Sequence, residues 1–329
     1  MSEHLVLAGD IGGTKSNLAF FCGAPDAPQA VAERSYRNRE FASLADVVRR
    51  FLADTGLSAV SACFGVAGAV VDGASVLPNL DWKLSENELA QALGLNAVRL
   101  INDLEANALG ISTLTSEQFF ILNPGQPRPG GNRALIAAGT GLGEAFLFKT
   151  DVGYRVSASE GGHVDFAPRG EEQMGLLRYL AARYGHVSYE RVLSGPGLAN
   201  IYGFLRDDRG MEEPAWLAER IHGGEDAAAV IASAGLAREA DICVHALDLF
   251  MGIYGAAAGN LALKALATNG LYLGGGIAPK LIEKFSESNF MTAFTDKGRF
   301  SCLLAEMPVR IILKPNTALR GAATVALDQ

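Results

Sequence analysis

Leu5-Val6-Leu7-Ala8-Gly9-Asp10-Ile11-Gly12-Gly13-Thr14-Lys15-Ser16-Asn17-Leu18-Ala19-Phe20-Phe21 is the stretch on which the fold turns. Leu5 to Ala8 reads as an apolar strand, Gly9 to Thr14 as a tight glycine turn, and Ser16 to Phe21 as a second strand. The pattern returns 130 residues on, as Ala134 to Ala138, then Gly139-Thr140-Gly141-Leu142-Gly143, then Ala145 to Phe148. That spacing is far beyond any solenoid period, so the two hairpins read as one domain built twice.

Helical and strand-like segments alternate around the hairpins. Ser43 opens a helix whose Leu44, Val47, Val48, Phe51 and Leu52 keep a one-face spacing, and Gly56 stops it. Ser85 with Glu88 forms a capping box for a helix ending at Gly94. Ala59 to Val66 and Ala97 to Ile101 read as strands, which together predict an α/β sheet with helices on its faces. The second half reads as more helical, over Glu171 to Tyr184, Pro196 to Arg206, Pro214 to His222 and the apolar stretch Leu236 to Ala267, followed by a short strand at Leu271 to Leu273. Phe250 to Ala267 contains Asn260 and Lys264 and reads as a buried helix rather than a membrane span. Asn123 to Gly131, rich in Pro and Gly, is the clearest loop, and the domain crossover is expected near it.

A chain of 329 residues exceeds the size at which one core stops growing, so two domains are expected. Its 28 basic and 36 acidic residues give a net charge of −8, which argues against a broad cationic surface for nucleic acid or anionic lipid. Cys22, Cys63, Cys243 and Cys302 are too scattered for a zinc site or a disulfide framework, and MSEHLVLAGD lacks the charged and apolar regions of a signal peptide. The expectation is a cytoplasmic protein with free thiols. Glycine is in excess, at 38 residues, and 16 of them fall in six short clusters after apolar runs, where bare backbone can approach a ligand.

Two glycine hairpins offer rows of backbone N–H groups to a polyphosphate, with Mg²⁺ supplying the balancing charge. Gly9 to Ser16 nearly spells a P-loop, but Thr14 replaces its second glycine; a dinucleotide fingerprint after Gly139 fails at Glu144, although Glu160 follows about 20 residues on. Asp10 reads either as a carboxylate holding Mg²⁺ through water or as an Asx-turn cap. Lys15 reads as a phosphate contact or a solvated side chain, and Thr14 and Thr140 each offer a hydroxyl. Asn102-Asp103 follows a strand and opens a helix, so Asp103 suits a base that takes the proton of an attacking alcohol, or else an N-cap. Glu160 and His163 flank paired glycines, and Glu190 precedes Ser194-Gly195-Pro196-Gly197; carboxylates and imidazole suit sugar hydroxyls, though structural hydrogen bonds or a Glu190–Arg191 surface pair are equally compatible with the spacing. Gly274-Gly275-Gly276 is a strand-to-helix turn able to admit adenosine, or an ordinary αβ turn.

Taken in order, Gly9 to Lys15, Leu100 to Ala106, Gly139 to Gly143, Glu160 to Phe166, Tyr189 to Gly197 and Gly274 to Ile277 resemble the bacterial glucokinase family of the hexokinase and actin-like ATPase superfamily. The resemblance spans nearly the whole chain. It implies an α/β, two-domain, ribonuclease H-like fold with a duplicated hairpin core and an interdomain cleft, the small domain comprising 1–113 plus 302–329 and the large one 114–301. It implies ATP-dependent phosphorylation of D-glucose at the 6-hydroxyl, with Mg²⁺. Asp10, Ile11, Gly12, Gly13, Thr14 and Lys15, and Gly139, Thr140, Gly141, Leu142 and Gly143, would be the phosphate loops, with adenosine at Gly274, Gly275 and Gly276. Asn102, Asp103, Glu160, His163 and Glu190 would hold glucose, Asp103 also acting as base. Such enzymes close over the sugar and are typically homodimers, with neither nucleic-acid nor membrane partners. The related repressor and kinase family carries a cysteine-rich zinc motif that residues 164–200 lack, and acts on other hexoses or N-acetylated hexosamines. A non-sugar actin-like ATPase, or a regulator that binds sugar without phosphorylating it, would share the loops.

Overall fold

The first hairpin forms because both faces of its strands are covered. In a computed structural model describing residues 5–77, 80–287 and 289–329, β1 (Val6–Ile11) and β2 (Lys15–Ala24) pair antiparallel from Val6 opposite Phe21 to Ile11 opposite Ser16. Leu7, Ile11, Leu18 and Phe20 face the helices Leu44–Thr55 and Glu86–Leu93, while Val6, Ala8, Ala19 and Phe21 face the helix Thr317–Leu327. Burial on both sides explains the near-continuous apolar runs and fixes the register, since a slip by one residue would exchange the two faces.

The chain continues through β3 (Ala27–Arg37), β4 (Ser61–Val66), β5 (Val70–Val71), β6 (Ala74–Leu77), β7 (Trp82–Ser85) and β8 (Ala97–Asn102). The main sheet has the order β3-β2-β1-β4-β8, with β1, β4 and β8 parallel, and β5-β6-β7 form a small sheet of their own. A second series repeats the plan: β9 (Phe119–Asn123), β10 (Arg133–Ala138), β11 (Leu142–Thr150), β12 (Gly153–Ser159), β13 (Leu271–Gly274) and β14 (Val309–Ile312) assemble as β12-β11-β10-β13-β14-β9. Each sheet thus places an antiparallel triplet beside two parallel strands, with β9 added antiparallel at the edge of the second, so the duplication read from the glycine turns extends to five strands of each sheet.

Two compact units result, Met1–Gln118 with Lys314–Gln329, and Phe119–Leu313. Residues 302–313, expected with the small domain, lie instead in the second unit, because β14 pairs with β13 on one side and β9 on the other. The crossover comes just before β9, between Gln118 and Phe119, close to the loop 123–131 near which it was expected. The apolar stretch 236–267 is the helix Asp241–Ala265, long and apolar enough to cross a membrane but mostly buried in the core of the second unit. The helix Ala227–Leu236, capped by Asp226, precedes it and was not anticipated.

Candidate active site

In the first unit the turn between β1 and β2 leaves Thr14 and Lys15 exposed. Asp10 and Ile11 are the last residues of β1, and Lys15 is the first of β2. Asp10 is directly opposite Asn17 in the ladder, and the Asn17 amide donates to Asp10 Oδ2 at 3.3 Å. Asp10 therefore makes a cross-strand contact rather than an Asx turn. Burial lifts its carboxyl above the usual carboxylate range, with Asn17 and Lys15 opposing. Gly12 N–H donates to Lys15 O at 3.1 Å and closes the turn.

At the carboxyl end of β8, Asn102 is the N-cap of the helix Asp103–Gly110: its Oδ1 accepts from Leu104 N–H at 2.9 Å and Glu105 N–H at 3.4 Å, and its Nδ2 donates to Gly68 O at 3.1 Å. The cap role that competed for Asp103 thus belongs to its neighbour. Asp103 is the first helical residue, half-buried, and its Oδ1 accepts from Leu104 N–H at 2.9 Å. A carboxylate there is favoured by the helix dipole. Glu105, in the same turn, is raised by burial.

In the second unit three of the residues expected to hold the sugar come together. His163 Nδ1 lies 3.7 Å from Glu160 Oε2, and His163 Nε2 lies 3.7 Å from Glu190 Oε1. Glu160 and His163 are exposed and Glu190 is half-buried. Glu190 also reaches the second hairpin, where its Oε2 accepts from Leu142 N–H at 2.9 Å, so it does not form the surface pair with Arg191 that spacing allowed. The glycines between Glu160 and His163 are dictated by close approach: a Cβ at Gly162 would collide with the Leu142 carbonyl, and one at Gly161 with the Glu144 carboxylate. Glu144 is buried, and that burial raises its carboxyl above the usual range.

The second hairpin turn, Gly139-Thr140-Gly141, is closed by Gly139 N–H donating to Gly141 O at 2.8 Å, and Gly195 N–H donates to Gly139 O at 2.8 Å. Leu142 and Gly143 belong to β11 rather than to the turn. Gly139, Thr140 and Gly276 share a cavity of about 720 Å³, whose walls also include Gly195, Pro196 and Ile277. Gly274 ends β13, and Gly275, with φ of 79°, turns against Ala138. The predicted phosphate turn and the predicted adenosine turn are therefore neighbours. Sequence reading missed two walls, at the starts of the helices Gly195–Asp207 and Ala227–Leu236. The available signals were Ser194 before Gly195-Pro196 and Asp226 before an alanine run, both of which the structure uses as helix caps.

A duplicated sheet of this order, with glycine hairpins and an acid at the carboxyl end of a parallel strand, defines an actin-like ATPase fold of the sugar-kinase type. The Glucokinase family model matches residues 7–329, and the chain belongs to that family, whose members are hexose kinases. It is 42% identical to a glucokinase of Nostoc punctiforme, covering 98% of both chains, and 41% identical to one from Synechocystis, covering 97% of both. Among solved structures it is similar to a glucokinase from an Antarctic psychrotroph, with a TM-score of 0.85 at 31% identity over 99% of both chains. A ROK family glucokinase from Streptomyces griseus, solved in complex with glucose and AMPPNP, shares the fold with a TM-score of 0.67 at 20% identity over 99% of this chain and all of that one.

Proposed function

We propose that the protein transfers the γ-phosphoryl group of ATP to the 6-hydroxyl of D-glucose. The observation that carries this reading is the Glu160–His163–Glu190 cluster, which offers two carboxylates and an imidazole to sugar hydroxyls and has no task in a nucleotide switch. Asn102 and Asp103 bind the same hexose. Asp103 accepts the 6-hydroxyl proton as the oxygen attacks; an O–P bond forms to the sugar, the bond from the γ-phosphorus to the bridging oxygen breaks, and its electron pair leaves on ADP.

The loops Asp10 to Lys15 and Gly139 to Gly143 meet the phosphates, the first through the N–H groups of Gly13 and Thr14, and the cavity beside Gly276 takes adenosine. Asp10 fits Mg²⁺: a single half-buried carboxylate at the phosphate turn is the kind of donor used by a cation that keeps most of its waters. Bound there, Mg²⁺ would neutralise charge on the transferred group. The protein works in the cytoplasm as a homodimer, a reading that rests on the family resemblance and on the scattered, free cysteines.

The test is ADP release by the purified protein against a panel of sugars, with ATP, ADP and polyphosphate as donors. Turnover that requires both glucose and ATP supports the proposal. ATP turnover indifferent to sugar would instead favour an actin-like switch, and preference for another hexose would move the protein to a different sugar kinase activity.

A further inference from the structure

Asn38 is 1% exposed, lies in a run of charged residues, and has no part in the reaction as described. It follows β3, whose last residue Arg37 is paired with Lys15 of β2, and so arrives beneath the first phosphate turn. Its Nδ2 donates to Gly12 O at 2.7 Å, its Oδ1 accepts from Ser16 Oγ at 2.7 Å, and its backbone N–H donates to Thr14 O at 3.0 Å. With Gly12 N–H on Lys15 O, three of the four carbonyls from Gly12 to Lys15, those of Gly12, Thr14 and Lys15, are each tied to a protein donor. Among the described residues the N–H groups of Gly13 and Thr14 meet no protein acceptor.

That division matters electrostatically. A carbonyl oxygen turned toward a phosphate repels it, whereas successive free N–H groups attract it. A glycine-rich turn without side-chain restraint samples both orientations. The geometry points to Asn38 as a positioning residue that sets the polarity of the first phosphate turn, holding its carbonyls inward so that Gly13 and Thr14 present their amides to the donor nucleotide. This rests on the reading that the turn meets the phosphates of ATP.

The two arms of the side chain have different work. The donor arm restrains the Gly12 carbonyl directly. The acceptor arm holds only the Ser16 hydroxyl, at the start of a strand already fixed by its ladder. Asn38→Asp replaces the donor facing Gly12 with an acceptor at nearly the same volume, Asn38→Ala removes both arms, and Ser16→Ala removes only the acceptor's partner.

Three readouts test the assignment: KM for ATP and for glucose, calorimetric affinity for ADP, and amide hydrogen exchange of residues 12–15 in nucleotide-free protein. Expected for Asn38→Asp and Asn38→Ala are a rise in KM for ATP and weaker ADP binding by about tenfold or more, a glucose KM within about twofold, and faster exchange confined to the turn. Ser16→Ala should change ADP affinity by less than about threefold. Equal losses for ATP and glucose, or unchanged ADP affinity with unchanged exchange, would overturn the assignment. If either Asn38 variant does not fold, the other supplies the comparison with Ser16→Ala. Should the wild-type protein bind ADP yet release none from ATP in the presence of glucose, the proposed function fails while the affinity and exchange comparison still judges Asn38.

Discussion

At the scale of single residues, Asp103 and Asp10 are held differently, one by a helix start and the other within a strand ladder. Asp103 begins a helix and its Oδ1 accepts from the Leu104 N–H, which fixes the carboxyl group proposed to receive the sugar's proton. Asp103→Asn keeps the shape and removes the acceptor, so kcat should fall by about 10²–10⁴ with the glucose KM changed by less than about threefold in a coupled assay. Asp10 is instead pushed toward neutrality by burial. Because its folded pKa is raised, its contribution to stability is complete below the unfolded carboxylate value and is lost as pH rises through the raised folded value. Wherever it is ionised in the folded protein Asp10 therefore lowers stability, which fits the proposal that it is kept for the nucleotide's cation. Asp10→Asn should raise the thermal midpoint at pH 7 by about 1–4 °C and flatten its pH dependence just above the ordinary carboxylate range, while lowering ATP-dependent turnover by more than about tenfold. A midpoint that falls at pH 7 would contradict this account.

At the scale of elements, the loop bearing Glu160 and His163 is held by its glycines rather than by its polar residues. Gly162→Ala would drive a Cβ into the backbone oxygen of Leu142, which cannot swing aside as a side chain can, so the turn bearing Glu160 and His163 must shift. The glucose KM should rise by about tenfold or more, and by more than the ATP KM, in steady-state kinetics with each substrate varied in turn. Glycine pairs of this kind were legible in the sequence, and so were the helices whose ends are chemically marked. Ser43 accepts from Asp46 N–H and Ser85 from Glu88 N–H, with Gly56 and Gly94 as the closing residues, where the sequence placed them. The strands β3, β5 to β7, β9, β12 and β14 were not legible, for physical reasons. β3 is an edge strand with most of its residues exposed, so hydrophobic alternation is too weak to mark it. β5 and β14 are too short for a period to show. Asn38 was hidden for the converse reason: Arg37-Asn38-Arg39-Glu40 looks like solvated surface, and only the folded turn shows one amide sealed beneath it. The double engagement of Glu190, with Leu142 and with His163, likewise depends on a strand and a loop 48 and 27 positions away, which no local pattern reports.

At the scale of the whole molecule, the chain carries a net charge of −8 and yet is read as binding MgATP, itself anionic. Long-range attraction cannot supply that affinity. Within each proposed donor element the charges nearly balance: Asp10 accompanies Lys15 at the first turn, and Asp226 accompanies Lys280 around the 720 Å³ cavity of the second unit. What remains under the proposed reading is short-range, namely backbone N–H groups and a cation that Asp10 would hold, and such contacts are little altered by a Debye length that shrinks below about 10 Å. Added salt should act mainly by screening the overall repulsion between protein and nucleotide. Between about 50 mM and about 300 mM ionic strength, kcat/KM for MgATP should therefore stay level or rise by up to about twofold. Glucose is uncharged, so its kcat/KM at saturating MgATP is the internal control and should not move. The measurement is a steady-state series at fixed pH with free Mg²⁺ held constant. A decline of about tenfold or more for MgATP alone would mean that cationic side chains, rather than main-chain amides ordered by residues such as Asn38, hold the triphosphate.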